Sequence, residues 1–456
     1  MKYTPQLNKG QASNFSSVYF VFLSLIFYFP PFFGSIYTQT FIIVCFFAAS
    51  ELMRAVYFAR GVIFIGSKIK LVGGIMFFLL LANGVNSLMA GVDSLYEFRD
   101  FFRIVTIALF VASLGESIRL RGSQQILHAV YFFSLVFAYI NGGLSVIWYF
   151  DRSLVSFLDV YTGPLIDTVT YWRFSGLLGN PNINGMVSVV LILFFLIIPP
   201  PNALGKILRV GAIGLCSFCL LLTASRTALA AALISFVYFL LLLISKSLYS
   251  GWVRRHVLWY CVGLIALAFM ALEVFLPMLG VASAMNRLAN PFGYAADARF
   301  ELVVSYSDFL FNNVSVLLFG KVGGPYGTTH GIFDSDYLFL LLKHGVLFSG
   351  FFISTIFYLF AVSLGWVYGS YLREIASLAV FCSTVMVFLL VAAIAGPALS
   401  NPKVVVIPIV LFSLVSHIQR HSGFKSDGQT HGRCDYVCSS TAAAVSNGYP
   451  PIKRLR

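Results

Sequence analysis

The chain has 456 residues, of which 59% are hydrophobic and only 10% charged, with a formal net charge of +13. That balance excludes a water-soluble globular domain, which could not hide so much apolar surface, and long uncharged runs recur from Ser17 almost to Ser416. The positive charge would suit nucleic acid, but its distribution along the chain argues against that partner.

Taken in chain order, windows of roughly 17–22 apolar residues predict about twelve membrane-spanning helices. They fall at about 17–33, 36–53, 71–92, 101–116, 126–149, 183–199, 209–224, 227–245, 257–277, 346–367, 375–394 and 403–418. The predicted organisation is an all-α integral membrane protein: residues 1–277 with the first nine spans, an outer loop over 278–345, three more spans over 346–418 and a polar tail over 419–456. The stretch before the first span is polar, so that span is expected to stay in place as an anchor. The 47 phenylalanines suit lipid-facing helices.

Charge gives the orientation. With the N-terminus inside, basic clusters fall on one side: Arg54, Arg60, Lys68 and Lys70, then Arg119 and Arg121, Lys206 and Arg209, Lys246, Arg254 and Arg255, Arg373, and the tail from Arg420. This is the positive-inside pattern, with both termini cytoplasmic. Acidic residues gather on the other face, at Asp93, Glu97 and Asp100, at Asp151, Asp159 and Asp167, and at Asp297, Glu301, Asp308, Asp334 and Asp336. Two outer connections, about 150–182 and 279–345, exceed the roughly 12–15 residues above which loops are usually functional or disordered. The second holds helix-like stretches (Ala296–Phe311 and Ser335–Lys343) and glycine turns at Gly320, Gly323, Gly324 and Gly327, so it is expected to form a small folded cap.

The seven cysteines form no framework: Cys45, Cys216, Cys219, Cys261 and Cys382 lie in apolar runs, and Cys434 and Cys438 lie in the tail. No nucleotide-binding loop, HExxH or GxSxG occurs, and no carboxylate pair has metal-site spacing; no metal or cofactor is expected.

Four elements on the outer face carry chemistry. The first is Arg173 followed by Asn180-Pro181-Asn182. Asn caps a helix and Pro suits its first position, and a helix start attracts anions. A capped helix beside a snorkelling arginine is the plainer alternative. The second is Thr223-Ala224-Ser225-Arg226, an arginine at the mouth of a span, where a cation costs about 2.5–3.5 kcal/mol on insertion scales. Its Ala-rich helix predicts that Arg226 faces the bundle interior. The third is Asp297-Ala298-Arg299-Phe300-Glu301, which could equally be a surface ion pair. The fourth runs from His330 through Asp334, Asp336 and Tyr337 to Gly345, where Asp334 and Tyr337 would share a helical face with Asp336 turned away. A carboxylate opening a helix is also an ordinary cap.

In this order, the four elements resemble the O-antigen ligase and O-antigen polymerase (Wzy-type) superfamily over about residues 170–365. The resemblance implies a GT-C-like membrane fold with a large periplasmic loop, acting in a bacterial inner membrane. The implied partner is an oligosaccharide on undecaprenyl diphosphate, handled among membrane lipids, with a chain-length regulator protein as a further partner and no nucleic acid. It further implies that Arg226 and Arg299 clamp the departing diphosphate, with Arg173 as a weaker third, because guanidinium meets phosphate oxygens bidentately. Asn180, Asn182, Tyr337 and His330 are the implied substrate contacts. Ligases of the group carry a His where Asp334 stands here, so Asp334 becomes the expected general base and polymerase is favoured over ligase; His330 lies one turn earlier as a second candidate for that role. A transporter is the reading from another class, but it predicts repeated halves and mid-membrane charge. Repeated halves are not evident, and the charges Arg103, Arg226 and Glu273 fall near span ends.

Overall fold

The computed structural model describes residues 67–89, 104–111, 123–151, 174–178, 180–200, 203–250, 311–321, 335–369 and 373–423, together with positions 45, 46, 48, 49, 114, 118 and 154. The described residues are helical, with no strand among them. We label the helices α1 (Ser67–Met89), α2 (Ser123–Phe150), α3 (Pro181–Ile197), α4 (Ala203–Thr223), α5 (Arg226–Ser250), α6 (Val314–Phe319), α7 (Asp336–Gly369), α8 (Arg373–Ala392) and α9 (Pro402–Gly423). Five of them, α2, α4, α5, α7 and α8, are long and apolar enough to cross a membrane, and α1, α3 and α9 contain shorter apolar helices. This is the architecture of an α-helical multi-pass membrane protein. Exposed Phe77, Phe78 and Leu88 on α1, Ile207 and Val210 on α4, and Leu233 and Leu241 on α5 give it an apolar outer surface that suits hydrocarbon.

Helix α3 lies at the centre, packed on α2, α4, α5, α8 and α9. It is buried around most of its circumference, as an enclosed helix is, with its few inward polar groups hydrogen-bonded. Met186, Val190, Leu191, Phe194 and Phe195 are all buried, and Phe194 meets Phe381 of α8 edge-on at 5.9 Å between ring centroids.

The expected spans at 71–92, 126–149, 183–199, 209–224, 227–245, 346–367, 375–394 and 403–418 correspond to observed helices. The spans at 17–33 and 257–277 lie outside the described residues, as does most of that at 36–53, whereas residues 104–111 and 114 of the span at 101–116 are described and helical. Two boundaries differ. Helix α4 starts at Ala203, because Lys206 and Arg209 are carried in its first turns and not in a connection. The helix-like stretch expected at Ser335–Lys343 is continuous with the span after it: α7 runs from Asp336 and bends at Gly345, whose φ of 77° breaks the helical path without ending it.

The bend is clasped. It leaves the Lys343 carbonyl facing outward, and Asn83 of α1 donates its side-chain amide to that oxygen (2.8 Å) and to the Phe319 carbonyl at the end of α6 (2.7 Å). Asn86, one turn on, donates to Gly320 O at 2.6 Å. Gly320 and Gly345 both have positive φ and let the two backbones touch where side chains would collide.

Candidate functional site at one end of the bundle

The starts of α3, α5, α7 and α9 lie around one feature, the turn 393–401 between α8 and α9. Thr227, in the first turn of α5, donates its hydroxyl to Ala395 O (3.1 Å). Met186 of α3 lies against Gly396. At the start of α7, Asp336 N donates to Ala393 O (2.9 Å) and Ser335 Oγ to the same oxygen (3.3 Å). Gly185 brings α3 onto the start of α5: a Cβ there would lie 2.9 Å from Thr223 Oγ1, 3.0 Å from Ser225 Cβ and 3.2 Å from Ala228 Cβ. Converging helix starts concentrate outward-facing N–H groups and positive partial charge, the arrangement that receives anions. Lys206 and Arg209, in the first turns of α4, and Arg373, the first residue of α8, lie at the opposite ends of their helices from this region.

Each start is built from local chemistry. Asn180 has extended backbone and its Oδ1 accepts from Asn182 N (2.9 Å) and Ile183 N (3.2 Å), with Pro181 first in the helix. Asn401 repeats the device: its Oδ1 accepts from Lys403 N at 3.0 Å, and Pro402 opens α9. Ser225 caps α5, its Oγ accepting from Ala228 N at 3.4 Å. The residue before it, Ala224, has φ of 45°, a left-handed conformation unusual for a residue with a Cβ. That twist turns the chain from α4 into α5 and sets where Arg226 begins.

Arg226 is the first residue of α5 and is half-buried. Asn180 and Asn182 stand half-buried at the start of α3, but the Asn180 carbonyl oxygen is committed to its own helix, leaving its amide group as the part that can address a ligand. Tyr337 is half-buried and donates its hydroxyl to Leu390 O of α8 (2.8 Å), a tie between helices. Arg173, Arg299, His330 and Asp334 lie outside the described residues. Phe174, next to Arg173, is buried, and its N–H donates to Leu222 O at 3.0 Å, which anchors the chain there to the end of α4.

Asp336 has a role that the sequence pattern does not reveal. The pattern turns it away from the face of Asp334 and Tyr337; its carboxylate is turned inward and 1% exposed. Asp336 Oδ2 accepts from Leu399 N and from Ser400 N (3.2 Å), and Oδ1 accepts the Ser400 hydroxyl. Its signal lay in the second Asn-Pro pair, Asn401-Pro402, which marks a tight helix start beside the start of α7.

A second buried network supports the turn after Arg173. Asn141 of α2 accepts from Leu177 N (3.0 Å) and donates to Asn184 Oδ1 of α3 (2.9 Å) and to Cys219 Sγ (3.4 Å). Asn184 also donates to that thiol at 3.4 Å. Cys219, which lies in an apolar run, is therefore an acceptor joining three helices. Gly176, with φ of 57°, passes so close to both asparagines that a Cβ there would collide with them.

No protein-family model matches the chain, and no curated protein matches it.

Proposed function

We propose that this chain is a polysaccharide polymerase of a bacterial inner membrane, acting at the periplasmic face, with both termini cytoplasmic. It transfers a growing glycan from undecaprenyl diphosphate to the non-reducing end of a new lipid-linked repeat unit. The observation that carries the reading is the gathering of four helix starts around one turn, with Arg226 at the head of α5. An anionic leaving group fits a place where helix dipoles and a guanidinium act together.

In the proposed reaction the acceptor hydroxyl oxygen attacks the anomeric carbon of the donor sugar. The bond from that carbon to the diphosphate oxygen breaks, and undecaprenyl diphosphate leaves. Asp334 takes the hydroxyl proton as general base. Arg226 and Arg299 hold the charge that develops on the diphosphate, an electrostatic task preorganised donors perform without further reorganisation. Inversion at the anomeric carbon follows from a single displacement.

The test is incubation of the purified protein with a lipid-linked repeat unit and separation of the products by size. A ladder supports polymerisation. Transfer only after a lipid core or protein acceptor is added means an O-antigen ligase, and inertness under both conditions favours transport.

A further inference from the structure

At the end of the bundle opposite the four helix starts, α2, α3 and α4 meet around Tyr131. Its ring lies against Phe194 and Phe195 of α3, at 5.6 and 5.8 Å between centroids, and the residue is 3% exposed. Helices α2 and α4 run side by side in the same direction: Tyr139 donates its hydroxyl to Leu208 O (3.0 Å), and Gly142, one turn on, lies against Leu215. Tyr131, about two turns before Tyr139, therefore comes level with the start of α4. The Arg209 side chain leans toward that start, as helical side chains do. Its guanidinium is near enough for the charge to act on the Tyr131 hydroxyl.

Among the described residues, the Tyr131 hydroxyl and Arg209 Nε are buried with no hydrogen-bond partner, and so is the hydroxyl of Ser134, three residues after Tyr131 on the same side of α2. Buried polar atoms of this kind call for a partner. Arginine only donates and a hydroxyl can donate, so the partner that suits all three offers several acceptor oxygens. Lys206, three residues before Arg209 and so on the same side of α4, is exposed and adds a second positive charge, which favours an anion. Beside these donors, Leu204, Ile207 and Val210 are exposed along α4. An anion-binding group thus borders a surface that suits hydrocarbon, and a phospholipid has both parts.

We propose that Arg209 and Tyr131 bind the phosphate of an anionic phospholipid, with Lys206 beside the headgroup and the acyl chains along Leu204, Ile207 and Val210. Nε–H and one Nη–H of a guanidinium meet two phosphate oxygens at once, and the tyrosine hydroxyl donates to a third position. Basic pockets between helices at a membrane face are suited to such headgroups. The site lies away from the helix starts and does not depend on the polymerase reading.

The test uses the full chain in detergent, washed free of native lipid. Dioleoyl phosphatidylglycerol is the probe, dioleoylglycerol the lipid control without phosphate, and inorganic phosphate the anion control. Bound lipid is counted by native mass spectrometry, and stabilisation is read from the melting temperature. The wild type should bind phosphatidylglycerol, melt higher in it and respond to neither control. Arg209→Gln should weaken that binding about ten- to hundred-fold, and Arg209→Lys should keep part of it. Tyr131→Phe should weaken it about three- to tenfold. Without lipid, Tyr131→Phe should melt at or above the wild type, because it removes a buried hydroxyl that the fold does not pair. Should Arg209→Gln fail to fold, Tyr131→Phe carries the test, since it keeps the ring that packs on Phe194 and Phe195. Unchanged phosphatidylglycerol binding in folded Tyr131→Phe, or a lower melting temperature of that variant without lipid, overturns the proposal. An equal response of the wild type to dioleoylglycerol overturns phosphate recognition, and an equal response to inorganic phosphate overturns the lipid as occupant.

Discussion

Asp336 and Ser400 are 64 residues apart, yet the Ser400 hydroxyl and N–H both donate to the Asp336 carboxylate inside the bundle. The contact fixes the start of α7 to the turn between α8 and α9, and so sets two of the four helix starts relative to each other. Replacing Asp336 with Ala leaves these donors buried without their acceptor. The expected cost is about 2–4 kcal/mol, seen as a lower melting temperature of the purified protein. Asp336→Asn keeps one acceptor oxygen and should fall between Ala and wild type; equal melting of all three would remove the latch from the account.

Asn180 separates capping from binding. Asn180→Ala should cost about 1 kcal/mol through loss of the α3 cap, and Asn180→Asp or Asn180→Ser should restore stability. The Asp variant keeps the capping oxygen and loses the amide N–H groups. Wild-type stability with reduced transfer in Asn180→Asp would show that the amide contacts substrate; wild-type values for both would confine the residue to capping.

Ala224 holds a left-handed conformation that glycine adopts freely. Ala224→Gly should therefore leave stability unchanged or raise it by up to about 1 kcal/mol, and Ala224→Val should lower it. Circular dichroism melts of the two variants in the same detergent decide this, and the order Val above Gly would contradict the turn geometry.

The clasp from α1 predicts local protection. Asn83→Ala should speed hydrogen exchange of amides near the ends of α6 and the first arm of α7, with a cost of about 0.6–1.7 kcal/mol for hydrogen bonds of this kind. Exchange measured by mass spectrometry over peptides covering 314–321 and 340–347 reports it. Unchanged rates there would mean that Gly320 and Gly345 alone hold the bend.

What could be read from sequence divides by range. The Asn-Pro pair at 180–181 announces a helix start through chemistry contained within four residues, and that start is where it is expected. The apolar runs announce helices because hydropathy is a property of the segment itself. Asp336, Asn83 and Asn141 act instead on partners up to 260 residues away, which no local pattern contains. For Asn83 and Asn141 an asparagine inside an apolar run was the one sign available, since such a group needs a partner in a membrane. The continuity of α7 through Gly345 was hidden for a related reason: glycine reads as a break, and only the close approach of Gly320 explains why the helix resumes.

Arg226 bears the central claim. The decisive measurement is the product ladder formed from a lipid-linked repeat unit by purified wild type, Arg226→Lys and Arg226→Ala, each shown to be folded by its melting profile. The account predicts a ladder from wild type, a slower and shorter one from the Lys variant, and no extension from the Ala variant, since loss of a charged contact made in the transition state removes about two or more orders of magnitude in rate. A full ladder from Arg226→Ala would contradict it.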